Sequence, residues 1–426
     1  MSLRGLFGVT AGKGILGLID QAAVSGASFL TTVAIGRFCG AQELGIYALG
    51  FSLVVLVTGA QTSLISIPYT IFMKRLPESE RSWYAGSVLV HYALLAALAM
   101  LALVGLALLL SIGLGPARLA QVVWVLLGIM PFVLLREFLR RLAFAHLQMT
   151  AALLLDVVVC GLQIGGLVGL VASEMLSAIT GYAVMGLACA IASVASFFLV
   201  RTEFVVRGER IGRDLQRNWS LGKWVFSSQM TLVAHGYLVH WLLAVMLDTT
   251  ATGVFTACLT VVMVVNPFVA GISNVLEPRV AQAFAEGGRD EVRRVAWKTT
   301  ALMEAVMAMF CIAIMLIGED AVRLLYDGPE YSNQGATIIV LALLVLTRID
   351  VPAAHGLRVM GRADANFKAA LLDLTISLVS TLILVPYLGV LGGAIGFLIG
   401  SVPASVMRCL IFFRLVGSTR PRAGTT

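Results

Sequence analysis

Apolar stretches of about twenty residues recur along this chain, each closed by a charge, a proline or a glycine. A helix needs roughly twenty apolar residues to cross the hydrocarbon core of a bilayer. The pattern predicts twelve such spans, at roughly 14–36, 44–67, 84–112, 119–138, 150–172, 176–200, 220–247, 251–276, 298–318, 333–354, 368–386 and 389–412. An even number of spans puts both termini on one face. The expected fold class is therefore an all-α polytopic membrane protein, and a composition with 59% hydrophobic and 12% charged residues excludes an ordinary soluble globule.

The polar gaps orient the chain. Of the 30 Lys and Arg residues, all but Arg37, Arg118 and Arg323 fall in the gaps on the side of the termini. By the positive-inside rule that side is cytoplasmic, so a multi-pass protein of the cytoplasmic (inner) membrane with both termini inside is expected. The net charge of +7 then implies contact with anionic membrane lipids and no nucleic acid. The first helix contains Asp20 and Gln21 and no small-residue cleavage site follows, so no cleaved signal peptide is expected. Six scattered cysteines without a C-x-x-C pair read as packing residues.

The chain also resembles itself. Leu44-Gly45-Ile46-Tyr47-Ala48 opens the second span and Thr252-Gly253-Val254-Phe255-Thr256 the eighth, while Pro68 and Pro278 close the same two. Pro131 is expected to kink the fourth span and Pro352 the tenth. Asp156 and Asp373 follow at matching places. Each pair lies six spans apart, which predicts two six-helix lobes of like orientation around a central cavity. The expected division is residues 1–205, a basic cytoplasmic linker at 206–219, and residues 220–426. Gly161, Gly165 and Gly169, like Gly392, Gly396 and Gly400, recur every fourth position and predict close helix packing.

Several chemistries are missing. No G-x-x-x-x-G-K-[ST] loop occurs, and the short loops leave no room for a catalytic domain, so no enzyme, cofactor or catalytic residue is expected. His235 and His240 stand about 140° apart on a helix and cannot chelate one metal. What remains is polarity at membrane depth, which is costly and therefore informative. Asp20 reads either as a gating or ion-coupling group or as a buried partner of a basic residue. Asp156 is expected to pair with Arg140 or Arg141, Asp373 with Arg362 or Lys368, and Glu304 to snorkel or pair with Lys298. The polar seventh span, with Gln229 and His235, joins Asp20, Gln21, Gln61, Asn266 and Asn274 as candidates for lining a wet cavity, interhelical hydrogen bonding being the alternative for each amide. At the inner mouth, Arg136 and Arg348, one per half, are the candidate phosphate ligands.

Four loop segments carry a family resemblance. Arg37-Phe-Cys-Gly40-Ala-Gln-Glu43-Leu-Gly45-Ile-Tyr47-Ala, Pro278-Arg279, Leu324-Leu-Tyr-Asp-Gly328-Pro-Glu330-Tyr331 and Tyr387-Leu-Gly389-Val-Leu-Gly392-Gly-Ala394-Ile-Gly396 resemble the multidrug/oligosaccharidyl-lipid/polysaccharide exporter superfamily. Within it they are most similar to the polysaccharide transporter branch, the O-antigen flippases. That resemblance implies a flippase carrying a lipid-linked oligosaccharide across the cytoplasmic membrane by alternating access. The alternative is a cation-coupled multidrug antiporter of the same superfamily, with a proton or sodium ion as coupling ion and Asp20 as its site.

Overall fold

The computed structural model describes residues 3–417 apart from 114, 147, 202 and 203, and its described side chains exclude those of 3–15, 18, 117, 274, 275, 277, 278 and 363. The described residues are helical nearly throughout and contain no strand. The helices are α1 (Leu3–Gln61), α2 (Ile67–Met73), α3 (Glu78–Ser111), α4 (Ala117–Ala145), α5 (Met149–Ala172), α6 (Ala178–Val200), α7 (Gly208–Met246), α8 (Thr249–Val262), α9 (Asn266–Leu325), α10 (Gly335–Leu346), α11 (Val351–Val359) and α12 (Ala363–Gly417).

Among the described residues, ten helical runs are long and apolar enough to cross a membrane. Two of them, Ile19–Met73 with 55 residues and Asp364–Gly417 with 54, are far too long for one pass. Each is broken by a glycine in a conformation that L-residues avoid: Gly40 (φ 83°, ψ 176°) in α1 and Gly389 (φ 57°, ψ −132°) in α12. Each therefore makes two passes, which brings the total to the twelve that the apolar pattern predicts. A third break, at Gly288 in α9, adds none. The residues around it, from Arg279 to Lys298, are too densely charged to enter a bilayer.

The chain folds as two compact units: unit 1 comprises Met1–His240 with Tyr326–Gly328, and unit 2 comprises Trp241–Leu325 with Pro329–Thr426. In unit 1, α4 packs on α1, α3, α5 and α6. It buries Leu119, Val122, Val123, Leu126, Met130, Val133, Leu134 and Phe138, a stripe at helical spacing. Glu43 of α1 braces the start of α6 by accepting a hydrogen bond from the Ala178 amide (2.9 Å), and Arg118 holds the same carboxylate at 2.6 Å. An anionic group at a helix N-terminus complements the dipole there.

Residues 206–219, expected as a linker, are mostly the first turns of α7, docked on α3. The Val205 amide donates to the Ser82 carbonyl, Tyr84 Oη donates to Asn218 Oδ1 at 2.7 Å, and Arg210 pairs with Glu80 at 2.5 Å. Arg207 stacks 3.7 Å over the Trp83 ring. A Cβ on Gly86 would collide with the Val205 carbonyl oxygen, so this docking requires glycine there.

In unit 2, α10 packs on α8, α9 and α12. A second cluster joins Leu276, Val280, Val292, Ala296, Ala353, Leu357 and Phe412. The prolines act differently from expectation. α4 runs on through Pro131, whose carbonyl accepts from Tyr92 Oη at 2.8 Å. Pro352 opens α11 after a 3-10 turn, Thr347–Asp350, so the tenth pass is two helices set end to end. Pro68 begins α2 and does not close the second pass, which continues to Met73; the Pro278 side chain lies outside the described residues.

The two glycine series also part company. In α12 a Cβ would collide with Leu384 O at Gly392 and with Thr381 Oγ1 at Gly396, and would lie 2.7 Å from Asp373 O at Gly400. Those pairings run antiparallel about Gly389, so α12 is a close helical hairpin. At Gly161, Gly165 and Gly169 nothing lies within 4 Å. That face of α5 is exposed, and the helix packs through Leu155, Val159, Gln163 and Leu167 instead. Spacing of four marks a face but does not say what covers it.

Candidate functional site

Each unit has a polar layer inside its apolar body. In unit 1 it arises where three helices meet. Arg136 and Arg140 stand four apart and so share a face of α4. The short turn into α5 sends the chain back antiparallel, which brings Asp156 to the same level, and Asp20 approaches from α1. Asp20 and Asp156 are fully buried, and Arg140 is 9% exposed.

Arg140 is the hub. Its Nη2 donates to Asp20 Oδ2 at 2.6 Å, and its Nε lies 2.5 Å from Asp156 Oδ2 but off the hydrogen-bonding axis, a contact of charge more than of directed bonding. Arg136 grips Asp156 through Nε and Nη2. Glu137 takes Arg141 at 2.6 Å and approaches Arg140 at 3.7 Å, and the Phe144 ring lies 5.0 Å from the Arg140 guanidinium carbon. Three guanidiniums thus face three carboxylates with no net charge. Buried ions in hydrocarbon are tolerated on that condition. One rung along the same helices, Gln163 of α5 donates to Thr31 of α1 at 2.9 Å.

Unit 2 is built differently. The 3-10 turn after α10 presents Asp350, 4% exposed, to Arg408 of α12, and the two form an ion pair. Ser405 donates to the Thr347 carbonyl at 2.7 Å and ties the turn to the same helix. Glu304 of α9 lies within the electrostatic reach of Asp350, yet its buried Oε1 has no hydrogen-bond partner. Arg348, on the turn itself, is half-buried and forms no ion pair or hydrogen bond among the described residues. Asp373 accepts from Ser401 at 3.3 Å and lies 3.5 Å from Ser377, both within the α12 hairpin.

The predicted site residues are distributed unevenly over these layers. Asp20 and Arg136 belong to the closed network of unit 1; Arg136, expected as a phosphate ligand, has its fork filled by Asp156. Arg348 alone of that pair keeps an unpartnered guanidinium. Gln61 is fully buried and donates to the Leu134 carbonyl of α4 at 2.9 Å, an interhelical bond. Gln21 is exposed and donates to Ser25 at 3.2 Å. Gln229 and His235 lie on α7, both exposed to some degree, Gln229 beside Gly59. Asn266 borders the start of α9, and the Asn274 side chain lies outside the described residues.

Asp156 takes Arg140 as expected, with Arg136 as a second partner, and the expected partners of the other two acids are corrected. Asp373 takes serines, because Arg362 and Lys368 both turn to Asp364 (2.9 and 3.8 Å). Lys298, exposed, makes no pair with Glu304. The Asp350–Arg408 pair had no local signal, its members being 58 residues apart in sequence.

Comparison with known proteins bears on the whole chain. The MatE family model matches residues 227–393. Among solved structures, an inward-facing multidrug resistance MATE family transporter of the MOP superfamily is 14% identical, with 97% of this chain and 96% of that chain covered and a TM-score of 0.77. An outward-facing form of such a transporter gives 14% identity, coverage of 95% and 94%, and a TM-score of 0.68. A MOP superfamily transporter from Pyrococcus furiosus, whose binding pocket is described as having reverse polarity, suggesting a different function, gives 14% identity, coverage of 95% and 94%, and a TM-score of 0.69. Comparison with curated proteins gives no match. These matches bear out the expected all-α transporter fold, and give no support to the flippase branch. The chain has the fold of the MATE transporters of the MOP superfamily.

Proposed function

We propose that this protein is a secondary transporter of the multidrug-extrusion type, which exports amphipathic organic molecules by alternating access in exchange for a proton or sodium ion. The observation that carries this reading is the likeness of nearly the whole chain to multidrug transporters solved in both inward- and outward-facing forms. The polar layers supply the chemistry. Asp20 is held by Arg140, so a cation arriving there competes with a guanidinium already bound. Glu304 carries a buried oxygen that nothing satisfies, and such a group accepts a proton, a cation or a water at little cost to its neighbours. Glu304 with Asp350 is therefore the proposed coupling site, and Arg348, on the same turn as Asp350 and without a partner among the described residues, is the cation available to these acids when the ion leaves.

Purified protein in proteoliposomes tests this. An imposed proton or sodium gradient should drive accumulation of a fluorescent organic cation, and Glu304→Gln should abolish the dependence on the gradient. In cells lacking other exporters, loss of the gene should raise drug sensitivity and leave surface glycan intact. Normal drug sensitivity with loss of a surface glycan overturns the proposal and returns the lipid-linked oligosaccharide as cargo.

A further inference from the structure

Away from its polar layer, unit 2 carries an open cavity of about 650 Å³, lined by Asp290, Arg293, Arg294, Trp297 and Phe413. It forms where the helix that restarts after Gly288 meets the last turns of α12. Trp297 is 62% exposed and meets Phe413 edge to face, with ring centroids 5.6 Å apart. Arg293 is exposed and has no ion-pair or hydrogen-bond partner among the described residues. Arg294 holds only a surface pair with Glu291 at 2.6 Å, and pairs of that kind are readily exchanged.

The level of this cavity follows from α9 itself. The dense run of charges ends at Lys298; from there to Gly318 Glu304 is the one charged residue, and Leu302, Met309, Ile312 and Leu316 stand exposed along this apolar part of the helix. Exposed apolar side chains at that density face lipid, so the cavity lies at the membrane–water boundary, where Trp and Arg side chains concentrate. A ligand there arrives from the bilayer with its polar end in the cavity.

The lining then selects the headgroup. Two guanidiniums grip a phosphodiester. The Asp290 carboxylate repels a bare anion but accepts hydrogen bonds from a primary ammonium. An aromatic pair beside them suits the glycerol and first acyl carbons. We infer that this cavity binds an aminophospholipid of the phosphatidylethanolamine type, with its phosphate on Arg293 and Arg294, its ammonium on Asp290 and its glycerol region on Trp297 and Phe413. A phosphatidylglycerol headgroup leaves Asp290 facing phosphate with no cation. A trimethylated choline carries the charge but has no N–H to donate.

The full-length protein, purified in detergent, can be titrated with phosphatidylethanolamine, phosphatidylcholine, phosphatidylglycerol and inorganic phosphate, reading bound lipid by native mass spectrometry. Wild type should retain phosphatidylethanolamine over the other two lipids. Arg293→Gln with Arg294→Gln should weaken all lipid binding by about tenfold or more, as expected for lost charge-assisted hydrogen bonds. Asp290→Asn should keep lipid binding and remove the preference. All three residues are exposed, so the fold should tolerate these changes. Preference for phosphatidylglycerol, equal binding of the three lipids, displacement of lipid by inorganic phosphate alone, or a preference unchanged in Asp290→Asn each overturns the inference.

Discussion

In unit 1, Arg136 and Arg140 share Asp20 and Asp156, whereas in unit 2 Arg408 takes Asp350 and leaves Glu304 and Arg348 without partners among the described residues. The two layers centre on matching passes, the fourth with Arg136 and Arg140 and the tenth with Asp350, yet one is electrically complete and the other is not. Completeness fixes a structure: each charge in unit 1 is held by an opposite one, so removing any leaves another uncompensated. Incompleteness leaves room for a mobile ion. Under the proposed function, the contrast gives unit 1 the rigid role and unit 2 the ion exchange.

The sharpest way to break that contrast is Arg140→Met. It strips the partner from Asp20 and one of two from Asp156, and should cost about 3–5 kcal/mol, as when buried pairs lose one member. Thermal unfolding in detergent measures it, and adding Asp20→Asn should restore part of the loss. An unchanged melting temperature with transport abolished would show that unit 1 carries the exchange after all. Next in size, Gly400→Ala drives a Cβ toward the Asp373 carbonyl within the α12 hairpin and should cost about 1–3 kcal/mol by overpacking. Gly165→Ala on the open face of α5 should be neutral or stabilising, by up to about 1 kcal/mol from helix propensity.

Glu304→Gln should shift the melting temperature by less than about 1 kcal/mol equivalent, because it removes no ion pair. Gradient-driven transport is the property it should lose. A destabilisation as large as that of Arg140→Met would place Glu304 in a closed network like that of unit 1. Smallest of all, Arg141→Ala removes a partner of Glu137 that is itself 40% exposed, and should cost about 0.5 kcal/mol, fading with salt.

Much of the fold was legible because membrane spans announce themselves by length. The twelve passes and the close packing at Gly392, Gly396 and Gly400 follow from apolar runs and residue size. The site was less legible, for a physical reason: sequence shows that a buried charge needs a partner but names one only when it is near in the chain. Asp156 and Arg140 flank one turn and were paired correctly, while Asp350 and Arg408 meet through a tertiary contact. The 206–219 segment looked like a linker because its arginines are the commonest sign of an exposed loop. Trp83, Tyr84 and Gly86 on α3, which make it a docking site, lie far upstream in the chain.

The α12 hairpin has a consequence for how the protein enters a membrane. Ser380 donates across the hairpin to the Gly396 carbonyl at 3.0 Å, and Ser401 reaches Asp373 in the same way. Asp373 is the costly group of this hairpin at membrane depth, and the final pass supplies it with a hydrogen-bond donor. The final pass therefore acts as an intramolecular escort for its predecessor, lowering what Asp373 costs at membrane depth once both passes are in place.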